Sequence, residues 1–175
     1  DVRPHPHIGL ATVTYLFMGE FEHRDSLGTH QMIHPGAVNL MTAGNGITHS
    51  ERTSAATRKT RHSLYGIQTW LALPERFEDG PAAFEHRGKE ELPFLEGDGK
   101  QVRLILGSAW GERAPVSVMS EMFYADAILA PGGHHDGRAL RGQGSRGRLT
   151  DAATGPGHQG NRSVQPFRHE LTPFV

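Results

Sequence analysis

Apolar and polar positions alternate along this chain in short bursts, and no sustained helical period appears before residue 130. Residues 12–18, TVTYLFM, are β-branched and aromatic and predict a strand. GEFEHRDSLG, residues 19–28, reads as a polar hairpin region with Asp25, Ser26 and Gly28 as turn formers. Pro35-Gly36 marks a turn, residues 38–41 a short strand, and Gly44 and Gly46 a pair of backbone hinges. YGIQTWLALP, residues 65–74, alternates: Ile67, Thr69, Leu71 and Leu73 fall on one face, Gln68, Trp70 and Ala72 on the other. Pro74 ends that strand. Residues 75–100 are charged, turn-rich and aperiodic and read as a connector, while QVRLILG and MFYADAIL (122–129) predict two more strands. Many short strands joined by turns predict an all-β barrel or sandwich.

The segment 134–175 departs from this pattern. It is rich in Gly, Arg and small polar residues, and its apolar positions follow neither the strand nor the helix period. Two origins fit it, a flexible tail or an out-of-frame translation of a GC-rich gene. At the other end the chain opens at Asp1 and enters a motif almost at once, so it is expected to be a fragment whose natural start is missing.

Composition narrows the classes further. With 175 residues, a net charge of -1 and a pI near 6.9, the chain can bury one ordinary core and has no general pull toward nucleic acid or anionic membrane. It has no cysteine, which excludes disulfides and thiolate metal sites and fits a reducing compartment; the expected location is the cytoplasm. No apolar run approaches the roughly 20 residues of a membrane-spanning helix. The 12 histidines are the unusual figure, and imidazole is the commonest metal ligand.

Two spaced pairs concentrate that chemistry. RPHPHIGLATVTYLF places His5 and His7 two apart at the mouth of a strand, and GNGITHSER places His49 and Glu51 two apart after Gly44 and Gly46. In an extended chain, residues i and i+2 share a side. Two such strands meeting in a barrel would gather three imidazoles and one carboxylate around a single cation. That donor set suits Fe(II), and also Mn, Ni, Cu or Zn, with two positions left for water, substrate or dioxygen. A lone H-x-H pair is more often surface or hydrogen-bonded histidine; the combination of the two pairs carries the metal reading. The remaining histidines read as less promising. His23, His30 and His34 are expected to be solvated, and His62 and His86 sit among charges. His134 and His135 are adjacent and would point to opposite faces. Trp70 and Phe17 are expected in the core. Neither Ser26 nor Ser50 sits in a G-x-S-x-G elbow, which disfavours a serine hydrolase.

HPHIGLATVTYLF, HRDSLG, PGAVNLMTAGNGITHSER and YGIQTWLALP, in this order, resemble the N-terminal half of pirin-like proteins of the cupin superfamily. The resemblance is dense over residues 3–74 and looser through QVRLILGSAWGERAPV and MFYADAILAPGG. It implies a bicupin of two jelly-roll-like β-barrels with one divalent metal in the first, held by His5, His7, His49 and Glu51. Fe(II) is the expected ion. Ala11 stands where many cupins carry glutamate, and Asn45 where an arginine is common; the match ends after Gly133. The expected organisation is therefore a metal-binding barrel over 1–84, a linker and the first strands of an incomplete second barrel over 85–133, and an atypical tail over 134–175.

The resemblance implies two functions. One is a quercetin 2,3-dioxygenase-type oxygenase that cleaves flavonol-like substrates with O2, with Glu51 as ligand and proton acceptor. The other is a non-enzymatic iron-binding regulator of a protein partner. Direct nucleic-acid or membrane binding is not expected.

Overall fold

The computed structural model describes residues 1–131 apart from Asp98; the expected tail over 134–175 lies outside the described residues. The described residues belong to one compact unit. Among them no helix is long and apolar enough to cross a membrane.

The described residues build an all-β fold from antiparallel strands. These are β1 (Val2–His7), β2 (Leu10–Met18), β3 (Phe21–Asp25), β4 (His30–Ile33), β5 (Val38–Thr42), β6 (Ile47–Arg52), β7 (Tyr65–Ala72), β8 (Ala83–Arg87), β9 (Phe94–Gly97), β10 (Lys100–Ala109), β11 (Glu112–Arg113) and β12 (Phe123–Leu129). A single helical turn, α1 (Glu75–Glu78), separates β7 from β8. One sheet has the order β1-β6-β3-β4 and a second the order β7-β2-β5-β8. A third runs β11-β10-β12, with β9 also paired to β10.

The first two sheets face each other through side chains. Trp70 of β7 meets His7 of β1, Gln68 of β7 meets Glu51 of β6, and Phe84 of β8 stacks on His23 of β3. The TVTYLFM run is buried along most of its length because β2 lies between two layers. Its Ala11, Val13 and Tyr15 side chains join Val38 and Leu40 of β5 in a core with Leu92, Ile105, Leu106 and Val116. Alternation sends Thr12, Thr14 and Leu16 to the opposite face, between the two barrel sheets. That interior is apolar at its ends, where Leu16, Phe21 and Ile33 form one cluster and Met41, Ala43 and Ile47 another. Between these clusters it is polar.

The expected connector over 75–100 is structured instead. β8 pairs with β5 along its whole length, from Val38 opposite Arg87 to Thr42 opposite Ala83, and completes a barrel sheet. A division at residue 84 would pass through this strand. β8 was hard to see because it is short and its residues are only half buried or exposed, so the period-two signal is weak. The strands expected over 38–41 and 122–129 are present as β5 and β12.

The turn from β5 to β6 sets the start of the second spaced pair. Gly44 adopts φ +50°, and a Cβ there would lie 2.1 Å from the Gly80 carbonyl oxygen, so only glycine fits. The turn closes through Gly46 N–H donating to the Ala43 carbonyl at 2.9 Å.

Candidate metal centre

The site forms where β1 pairs with β6. His5 stands directly opposite His49 in the antiparallel register, and His7 opposite Ile47. His5 and His7 project to one side, as the i, i+2 spacing requires, and meet His49 coming from the neighbouring strand. Ring centroids lie 4.3 Å apart for His5–His49, 4.9 Å for His5–His7 and 5.0 Å for His7–His49. One ring nitrogen from each of the three lies within 4.8 Å of the other two. Exposure falls inward: His5 is half buried, while His7 and His49 are buried.

Burial fixes the protonation state. Desolvation, reinforced by the neighbouring His5, His23 and His7, depresses the His49 pKa to about 4. His7 is lowered for the same reason, burial first and His5 second. Both imidazoles are therefore neutral at pH 7 and carry lone pairs. Nε2 of His7 lies 3.1 Å from Nε2 of His49, a contact between two neutral rings that requires one shared proton. Nδ1 of His49 is buried without a hydrogen-bond partner. His5 Nδ1 donates to the Arg3 carbonyl at 2.9 Å, which leaves its Nε2 as the lone-pair nitrogen. This donor set fits a divalent transition metal, which His5, His7 and His49 would hold through their ring nitrogens.

Glu51 follows His49 by two residues and projects to the same side of β6, half buried. It stands outside the three-nitrogen set, and its Oε1 accepts a hydrogen bond from Gln68 Nε2 at 2.5 Å. The structure thus gathers three of the four expected groups and holds the fourth beside them.

Several neighbours escaped the sequence reading. His23, expected to be solvated, is buried: it stacks on Phe84 at 4.4 Å and lies 5.2 Å from the His49 ring. Its Nε2 is 3.0 Å from Asp25 Oδ2, whose partner oxygen accepts from the Leu27 and Thr29 amides. Burial would raise the Asp25 pKa, but these hydrogen bonds outweigh it and hold the carboxyl below its usual range. The missed signal was the alternation Phe21, His23, Asp25 along β3, with Phe21 in the core. His30 and His34 are exposed, as expected, and His62, which sits among charges, is exposed too. Trp70, expected in the core, is 64% exposed and sits edge-on to His7 at 5.4 Å.

Across the β7-β2-β5-β8 sheet, Gln68 stands opposite Thr14, Thr14 opposite Asn39, and Asn39 opposite His86. Gln68 Nε2 donates to Thr14 Oγ1 at 3.0 Å, and His86 Nδ1 lies 2.7 Å from Asn39 Oδ1. Burial lowers the His86 pKa, so its Nδ1–H donates to the Asn39 carbonyl from a neutral ring.

Residues 1–71 match the family model described as Pirin. A pirin-like protein from Caulobacter vibrioides is 51% identical over 133 residues, which cover 75% of this chain and 46% of that protein. The chain belongs to the pirin family. Among solved structures, a quercetin 2,3-dioxygenase from Acinetobacter baumannii superposes with a TM-score of 0.66 at 39% identity, over 72% of this pirin and 40% of that chain. A bacterial pirin from Escherichia coli, solved in complex with nickel(II), gives a TM-score of 0.52 at 27% identity, over 70% of this chain and 46% of that one. This pirin therefore spans less than half the length of these relatives.

Proposed function

We propose that this pirin binds one divalent transition metal through His5, His7, His49 and Glu51, and that the whole protein uses it for dioxygen-dependent cleavage of a flavonol-like ring. The convergence of three ring nitrogens within 4.8 Å carries the reading. Fe(II) is the proposed resident ion, and Mn, Ni, Cu and Zn are chemically compatible with the same donors. The nickel(II) complex of the Escherichia coli relative and the dioxygenase name of the Acinetobacter relative support it. We further propose that β9 to β12 are the opening strands of a second barrel.

A cation held by these donors would supply Lewis acidity, lowering the pKa of an enol hydroxyl brought to the site. The chain's own groups do the rest. Gln68 holds Glu51 through Oε1, which would leave Oε2 as the ligand atom or, when freed, as the base for the hydroxyl proton. The exposed indole of Trp70, beside His7, offers an apolar surface for a flat aromatic ring. His23, buried against Phe84 and His49, helps keep water from the inner side of the imidazoles.

The test is an assay of metal-loaded protein with quercetin under air. Loss of the flavonol absorbance with release of carbon monoxide supports the oxygenase. Stoichiometric metal binding without turnover, across several metals and flavonols, leaves a metal-dependent regulatory protein as the better description.

A further inference from the structure

We propose that Gln68 is the positioning residue for Glu51, so that the metal affinity of the β1–β6 site depends on an amide donated from the opposite sheet; this rests on the metal reading above. Glu51 belongs to β6 and Gln68 to β7, strands of different sheets. In the β1–β6 pairing Glu51 stands opposite Val2, and the register shifts between Val2 and His5. β1 therefore gives Glu51 no polar neighbour in register; β3 places His23 opposite it, but the Nε2 of that ring pairs with Asp25, and the carboxylate meets β7.

The amide nitrogen of Gln68 is fully committed. Its Nε2 donates to Glu51 Oε1 at 2.5 Å and to Thr14 Oγ1 at 3.0 Å. A carboxylate only accepts, so the nitrogen must be the end that faces Glu51, and both of its protons are used. Thr14 in turn lies in register with Asn39 and His86, whose mutual bond at 2.7 Å continues the polar row across the sheet. Gln68 is thus held from behind while it holds Glu51 in front. Trp70, two residues further along β7 on the same face, packs against His7. The inner face of one edge strand therefore touches two of the four groups proposed to bind metal.

A hydrogen-bond donor behind a ligating carboxylate restricts its rotamers before the ion arrives, and loss of such a partner typically weakens metal binding about tenfold to a hundredfold. The experiment measures Ni(II) affinity by chelator competition for wild type, Gln68→Met, Glu51→Gln and the double variant. Gln68→Met is expected to weaken binding by about tenfold or more, and the double variant to bind no more weakly than Glu51→Gln alone. The visible spectrum of the Co(II)-loaded Gln68→Met protein should shift as that of Glu51→Gln does, which a purely structural role would not produce.

Gln68 is exposed on an edge strand, so the melting temperature of metal-free Gln68→Met should match wild type. If that variant fails to fold, Thr14→Val reads the same coupling one step back, with Thr14→Ser as the rescue. Wild-type affinity in Gln68→Met, or an effect that adds in full to Glu51→Gln, overturns this assignment while the metal site stands. Absence of Ni(II) binding by the wild type overturns the metal reading and this assignment together.

Discussion

Nε2 of His7 and Nε2 of His49 face each other at 3.1 Å, from residues 42 positions apart in the chain. The two rings belong to adjacent antiparallel strands, so the backbone ladder itself enforces the approach. Both rings are buried and both have depressed pKa values. Neighbouring imidazoles held neutral out of water are poor surface chemistry and good ligand chemistry.

The metal-free protein should lose stability on mild acidification. His49 has a folded-state pKa of about 4 against 6.5 in the unfolded chain. Below pH 6.5 the unfolded state binds the proton more readily, so stability falls as pH drops toward 4 and then levels off. For His49 alone the loss is on the order of 3 kcal/mol across that window, with His7 and His86 acting in the same direction. Urea midpoints at pH 7.5 and pH 5 check this; an unchanged midpoint contradicts it.

The barrel should depend on β10. Ile105 is buried in one core cluster with Val13 and Leu40, on the outer face of the sheet whose inner face carries Gln68 and Thr14. Ile105→Ala should destabilise by about 2–4 kcal/mol through lost transfer energy and a residual cavity. Denaturant melts measure the change, and a loss under about 1 kcal/mol would mean that the two layers do not share a core.

Gly44→Ala should be as damaging as a core truncation although the residue makes no apolar contact. The new Cβ would collide with the Gly80 carbonyl, and φ +50° is strained for any side chain. The expected loss is about 2 kcal/mol or more, read by thermal melting. A neutral result would mean that the β5–β6 turn relaxes freely.

Trp70 should report occupancy of the site. Its ring is 5.4 Å from His7, whereas the other tryptophan, Trp110, packs on Phe123 of β12. Cu(II) should quench indole emission in the wild type, and Trp70→Phe should abolish most of that quenching. Equal quenching in both proteins would place the ion away from His7.

The fold class and the three histidines were legible because both rest on strict alternation. His5, Pro6, His7 and His49, Ser50, Glu51 are short extended segments in which parity decides the side. What parity could not supply was the partner strand. Nothing local to Gln68 or Glu51 says that β6 and β7 lie in facing sheets, and nothing local to Glu51 says that Val2 stands opposite it after a register shift. His23 was misread for a related reason. Its neighbours Glu22 and Arg24 are charged, and their polarity masked the buried face that Phe21, His23 and Asp25 share. Trp70 was misplaced because a large aromatic in a strand is usually core, whereas β7 is an edge strand open to solvent.

The most direct test of the metal centre is elemental analysis of purified wild type, His49→Ala and His30→Ala. The site geometry predicts about one transition metal per wild-type chain, most of it lost in His49→Ala and retained in His30→Ala, whose ring is exposed beside Glu22. Equal metal content in the two variants would contradict a centre built on the β1–β6 imidazoles.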